Sequence, residues 1–180
     1  MLQITIPGME GWDERTETFV SFNDTTITLE HSLISISKWE SKWHIPFLGK
    51  EDKTPEQIND YVKCMTITPN VKPEIYEFLS KDNLTEVMAY INDSMTATTI
   101  TNRGGKRVSR EIVTSELIYY WMVALNIPFE CQKWHINRLM MLIQICEIKN
   151  QPDKKMGRKS TMQQNAALNA ARRQKAHSRG

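Results

Sequence analysis

Ile112-Val113-Thr114-Ser115-Glu116-Leu117-Ile118-Tyr119-Tyr120-Trp121-Met122-Val123-Ala124-Leu125-Asn126-Ile127-Pro128-Phe129-Glu130-Cys131-Gln132-Lys133-Trp134-His135-Ile136-Asn137-Arg138-Leu139-Met140-Met141-Leu142-Ile143-Gln144-Ile145-Cys146 is the densest apolar stretch of this chain. Ser109 can cap a helix from Arg110, and Ile112, Ser115, Leu117, Tyr119, Met122 and Leu125 carry it to a stop at Pro128. A second helix is expected from about Glu130, through Trp134, Ile136, Leu139, Met140, Leu142, Ile143 and Cys146. The short Asn126–Phe129 connection predicts that the two pack as antiparallel neighbours, which puts this hairpin at the centre of the core.

Upstream, Leu33, Ile36, Trp39 and Trp43 recur at three- and four-residue steps and predict a helix ending before Pro46. Thr54-Pro55-Glu56 is a helix start, with Ile58, Tyr61, Val62 and Met65 as its inward stripe and Pro69 beyond its end. Pro73 opens a short helix through Ile75, Tyr76 and Leu79, and Leu84, Val87, Met88 and Ile91 predict another. The first thirty residues read differently. Leu2–Ile6 alternates, Phe19–Phe22 and Thr26–Leu29 are β-branched or aromatic, and Pro7-Gly8 and Asn23-Asp24 lie between them. That pattern predicts a small antiparallel β-hairpin sheet of two or three strands over residues 1–30. Thr96–Ser109, with Asn102-Arg103-Gly104-Gly105-Lys106-Arg107, reads as an exposed mobile loop. Ile-Pro-Phe follows a helix end twice, at Ile45–Phe47 and Ile127–Phe129, where proline stops a helix and Phe anchors the next turn.

Residues 151–180 hold eight basic residues against Asp153 alone, a net +7, which leaves 15 basic and 20 acidic residues, a net −5, to residues 1–150. The last thirty residues also lack Trp, Tyr, Phe, Ile, Val and Cys, so they cannot build a core. The expectation is a mainly α protein. Residues 1–150 form one helical domain with a small N-terminal antiparallel β-sheet, and 151–180 form a flexible basic C-terminal tail, disordered or partly helical. Three cysteines without CxxC spacing, no export-type leader and no apolar run of membrane-spanning length predict a reduced, cytoplasmic protein that does not enter a membrane.

Catalytic patterns are sparse. The four histidines show no His-x3-His or His-Glu-x-x-His spacing, and Cys131 with His135, at i and i+4, is the one pair that could face a metal together. With no third ligand at hand, a packed cysteine beside a packed histidine is the better reading. Gly104-Gly105-Lys106 lacks the upstream glycine, the following Ser or Thr and the preceding strand of a phosphate loop. Asp13-Glu14 and Glu51-Asp52 lie beside turns, where solvated charge is the default. No enzyme, cofactor or metal is expected.

The aromatics point to partners instead. Trp39 and Trp43 share a helix face, and Tyr119, Tyr120 and Trp121 occupy consecutive positions about 100° apart, so they cannot all face one core. With Met122, Trp134 and a total of ten methionines, they predict an adaptable apolar surface for a partner protein. The basic tail has no aromatics for base stacking beside an acidic body, which argues against nucleic acid.

Leu29-Glu30-His31-Ser32-Leu33, Ser37-Lys38-Trp39-Glu40-Ser41-Lys42-Trp43, Tyr61-Val62-Lys63-Cys64-Met65-Thr66, Tyr119-Tyr120-Trp121-Met122, Ile127-Pro128-Phe129-Glu130-Cys131 and Lys133-Trp134-His135 together resemble a group of tailed-bacteriophage proteins of this size. The role that fits best is the tail assembly chaperone of long-tailed phages, made before the tape-measure protein. The resemblance implies a small helical protein of the host cell cytoplasm, absent from the mature virion. Such a protein coats the apolar helical tape-measure protein and recruits the major tail protein of the tube. Self-association is compatible with it. A frameshifted longer product is common in such systems, and Lys154-Lys155 could be encoded by a slippery run of adenines. The alternatives are a structural virion protein, such as a head-tail connector or tail completion component, and a nucleic-acid-binding regulator using the Asn102–Arg110 loop and the tail.

Overall fold

In a computed structural model of the 180-residue chain, residues 1–13, 18–100, 112–150 and 158–175 are described. The chain divides into two compact units, Met1–Cys146 and Glu147–Gly180. The fold is mainly α with a small antiparallel sheet at the start.

Four short strands build one long hairpin: β1 (Leu2–Ile6) pairs with β4 (Thr25–Leu29), and β2 (Met9–Asp13) pairs with β3 (Thr18–Phe22). Leu2 faces Leu29, Ile6 faces Thr25 and Met9 faces Phe22, so one register runs through both ladders. Pro7-Gly8 and Asn23-Asp24 are therefore not turns between neighbouring strands but a matched interruption, spanned by the Gly8 amide donating to Asp24 Oδ1 at 2.6 Å. β2 escapes sequence reading because Met9-Glu10-Gly11-Trp12-Asp13 carries Gly and two acids, which disfavour strands in isolation. Alternation places Ile4, Ile6, Ile27 and Leu29 on the buried face. The outer edge of β4 is covered: Ile67 donates to the Thr28 carbonyl (2.8 Å), and Thr28 donates to Thr68 Oγ1 (2.8 Å).

The helices start where their caps dictate. α1 (Leu33–Trp43) opens on a Ser32–Ser35 capping box, and α2 (Pro55–Met65) on Thr54 with proline at the first position and Gln57 reaching back. A 3-10 turn covers Pro73–Phe78, and α3 (Lys81–Asn92) starts at Ser80 with Asn83 completing the box. α4 (Ser115–Ala124) is followed by a 3-10 turn at Phe129–Lys133 and α5 (Ile136–Asn150). His44 and Asn126, which close α1 and α4 ahead of the two Ile-Pro-Phe sequences, both adopt left-handed backbone, φ 55° and 54°. The repeated tripeptide thus marks the same physical turn: a left-handed residue frees the chain from the helix, and proline holds it extended.

The expected hairpin over 112–146 needs correction in three respects. Thr114, not Ser109, caps α4, by accepting from the Leu117 amide; Ser109 and Arg110 lie outside the described residues, as does the 101–109 part of the expected loop. The second helix does not run from Glu130, because Trp134 is extended (φ −74°, ψ 159°) and separates the 3-10 turn from α5. Nor is the hairpin the centre of the core. α1 holds that place, with Leu33, Ile36 and Trp39 fully buried and α2, α4 and the Phe129–Lys133 turn packed on it. α4 turns Ile118 and Met122 inward, and α5 turns Ile136, Leu139 and Ile143 inward.

In the second unit, α6 (Arg158–Lys175) is helical, with Met162 and Leu168 exposed. Residues 151–157 and 176–180 of the tail lie outside the described residues.

Candidate functional site

Two networks of buried polar residues stand out inside Met1–Cys146. Glu40, on the buried face of α1, accepts from the Phe47 amide through Oε1 and from the Ser115 amide through Oε2, both at 2.8 Å. Its carboxylate therefore satisfies an otherwise orphan donor in the first turn of α4, where the helix dipole favours negative charge. The second network surrounds the junction of β4 and α1. His31 Nδ1 meets the Tyr61 hydroxyl, and its ring lies edge-on to His135 with centroids 5.0 Å apart. His135 Nε2 donates to the Tyr90 carbonyl (3.0 Å), an atom that can only accept, so Nδ1 is left to accept from the Asn137 amide (3.3 Å). Tyr90 Oη donates to Glu30 Oε1 (2.8 Å), and Glu30 Oε2 lies 3.2 Å from the Met1 ammonium.

Burial dominates the electrostatics here. It holds the His31 imidazole down to about 3, with His135 adding to the effect, and holds His135 below its ordinary value. Burial raises the Tyr61 phenol, and burial together with the Glu30 carboxylate raises that of Tyr90. Both rings and both phenols are neutral near pH 7. Their hydrogen bonds run to each other, to Glu30 and to backbone atoms, which makes the cluster a joint between β4, α2, α3 and α5. Sequence reading placed His135 beside a packed Cys131 and gave His31 no role; nothing in their spacing shows that residues 31 and 135 meet.

Cys131 and His135 do not share a helix face. Cys131 lies in the 3-10 turn, His135 follows the extended Trp134, and burial pushes the Cys131 thiol up. Among the described residues no three His, Cys, Asp or Glu side chains are grouped to hold a metal ion, and no helix is long and apolar enough to cross a membrane.

The residues expected to bind a partner are divided by the fold. Trp39 and Met122 have no exposed area and belong to the core; Trp39 Nε1 donates to the Gln57 carbonyl (2.9 Å), and its ring meets Phe47 edge-on at 5.2 Å. Trp43 is half-buried, donating to Asp60 Oδ2 (2.9 Å), while the Lys42 ammonium pairs with the same carboxylate, so this group fastens α1 to α2. Trp121 is half-buried against the core, and Trp134 is half-buried with the Arg138 guanidinium 4.3 Å from its ring centroid. Tyr119 and Tyr120 remain. Tyr120 is 65% exposed, Val123 one turn along is 60% exposed, and Phe129 beyond the turn is 53% exposed. The half-buried Tyr119 joins them, its ring 6.4 Å from Phe129 and its hydroxyl donating to Gln132 Oε1 (3.0 Å). Together they form an apolar face on α4 and the Phe129–Lys133 turn. Val123 and Phe129 were absent from the sequence expectation, although Val123 stands at i+3 from Tyr120.

A second apolar feature lies between α2 and α3. α2 packs on α1 and the Pro73–Phe78 turn, whereas α3 packs on β1, and a half-open cleft of about 530 Å³ is left between them. Ile58 and Val62 line one wall, Leu84, Val87, Met88 and Ile91 the other, and Glu51 and Asp52 stand at the mouth. Both helical stripes are legible in the sequence; that they fail to cover each other is not. No protein-family model, curated protein or solved structure matches the chain.

Proposed function

We propose that this chain is a non-enzymatic assembly chaperone of long-tailed phages, holding apolar helical segments of the tape-measure protein and recruiting the major tail protein of the tube. The observation that carries the reading is the exposed apolar face of Tyr119, Tyr120, Val123 and Phe129. Large side chains of this kind are costly to leave in water, and grouped on one surface they are characteristic of protein contacts. The two tyrosines supply broad contact area at little cost in side-chain entropy. A face of this size gives modest affinity, which suits a client that must be released as the tail grows. On this reading the protein works in the host cytoplasm and leaves before the virion is complete.

Co-expression with the tape-measure protein tests the proposal. The expected outcome is a soluble complex that the Tyr120→Asp, Val123→Asp double variant loses while its own fold survives. An insoluble client with no complex in the wild type would sink the idea.

A further inference from the structure

We propose that the cleft between α2 and α3 is a second docking site, which takes an amphipathic helix of another protein bearing three bulky aliphatic side chains and, beyond them, a lysine or arginine. The site shares no residue with the α4 face, and the proposal does not depend on the identity of the tape-measure client.

Leu84, Val87, Met88 and Ile91 stand at i, i+3, i+4 and i+7, a full two-turn apolar stripe on α3. A stripe of that length is normally covered, yet Met88 is 47% exposed, and Leu84 and Ile91 are half-buried. Half-buried Ile58 is the accessible part of the facing wall, Val62 being buried, so an entering helix meets apolar surface on both sides. The volume of about 530 Å³ falls within the ~300–1,000 Å³ common for binding pockets. An apolar trough between two helices is the receptor half of helix-in-groove recognition, which is read by anchors at i, i+3 or i+4, and i+7.

The charge at the mouth selects the kind of helix. Lys53 is turned onto the aromatic cluster, its ammonium 4.8 Å from the Phe47 centroid and 5.9 Å from that of Trp39. Glu51 and Asp52 are exposed and, among the described residues, have no ion-pair or hydrogen-bond partner. With the Lys53 ammonium held against Phe47, the lining carries two carboxylates and one cation, a net negative charge facing whatever lies in the trough. A basic residue following the anchors meets the carboxylates; an acidic one is repelled.

Other occupants fit less well. A small molecule needs convergent polar groups to orient it, but the Tyr61 hydroxyl is engaged by His31, the Lys53 ammonium lies over the Phe47 ring, and the rest of the lining inside the mouth is aliphatic. An anionic membrane surface is repelled by Glu51 and Asp52. The basic helix Arg158–Lys175 has the charge but not the stripe: Met162 and Leu168, six positions apart, point about 120° away from each other.

The test uses the full chain and three labelled peptides read by fluorescence anisotropy. One is a designed helix with leucines at i, i+3 and i+7 and two terminal lysines, the second replaces those lysines with glutamates, and the third is the 158–175 sequence. The expected result is binding of the lysine peptide about three- to tenfold tighter than the glutamate peptide at low salt, converging at high salt. The Glu51→Lys, Asp52→Lys double variant should reverse that order. Met88→Asn, at an exposed position, should weaken both peptides, and Tyr120→Asp should change neither. Equal affinity for the lysine and glutamate peptides, indifference to Met88→Asn, or no binding of either peptide would overturn the proposal. Tighter binding of the 158–175 peptide, or a concentration-dependent dimer that the lysine peptide dissociates, would overturn it in favour of self-docking.

Discussion

Replacing Glu40 with glutamine changes one oxygen to an amide and almost no volume, yet the structure predicts a large effect. Both carboxylate oxygens accept backbone amides at 2.8 Å, one from Phe47 in the loop after α1 and one from Ser115 at the start of α4, 75 residues away. A glutamine side chain can serve only one of them; its NH2 group then faces the other N–H, leaving a buried donor unpaired at about 1–3 kcal/mol. The favourable meeting of a negative charge with the α4 N-terminus, roughly 0.3–2 kcal/mol, is lost as well. The expected loss is about 2–4 kcal/mol, or a fall in Tm of roughly 4–16 °C for a domain of this size. Trp12, Trp39, Trp43, Trp121 and Trp134 all lie in Met1–Cys146, so urea unfolding followed by tryptophan emission reports on that unit alone. Hydrogen exchange should show the Phe47 and Ser115 amides losing protection together. A Glu40→Gln variant within about 0.5 kcal/mol of wild type would show that this carboxylate does not hold the two amides, because surface substitutions already reach that level.

Acid should loosen the joint at His31. The unfolded chain protonates this histidine near 6.5 and the folded chain only near 3, so its contribution is fully present above pH 6.5 and is lost as pH falls through that window. The limiting slope is about 1.4 kcal/mol per pH unit, and His135, lowered in the same direction, adds to it. Urea midpoints of wild type and His31→Gln compared between pH 7 and pH 4, round values spanning most of that window, should converge; parallel curves would contradict the assignment. Trp39→Ala should cost about 3–5 kcal/mol in urea unfolding, whereas Tyr120→Ala should stay within about 0.5 kcal/mol, since one ring is core and the other solvated. Thr54→Ala removes the acceptor for the Gln57 amide and should cost about 1 kcal/mol by thermal melting, with Thr54→Ser restoring most of it.

Local signals carried the parts of the fold that are local. Thr54 with Pro55, and Pro73, announce helix starts by chemistry contained in three or four residues, and the structure begins its elements there. The break at Trp134 was invisible for the opposite reason. Its cause is distant: Ile136 donates to the His31 carbonyl at 2.7 Å and Ser32 bridges to His135, so a contact with the start of α1 pulls the chain out of helix. The same distinction governs the candidate surfaces. That Tyr119, Tyr120 and Trp121 could not all face one core was readable from helical geometry. Which of them would be left outside depended on α1 covering Ile118 and Met122. Glu51 and Asp52 looked like ordinary solvated charge, and they are exposed; their position at the mouth of an apolar cleft arises only when residues 51–62 and 84–91 meet.

We propose that this protein acts on the growing tail and then departs, and quantitative mass spectrometry of infected cells and of purified particles tests that departure. The prediction is abundant protein in the cells, co-purifying with the tape-measure protein, and none at stoichiometric level in finished particles. A fixed number of copies in every purified particle would contradict the claim and make this chain a structural component instead.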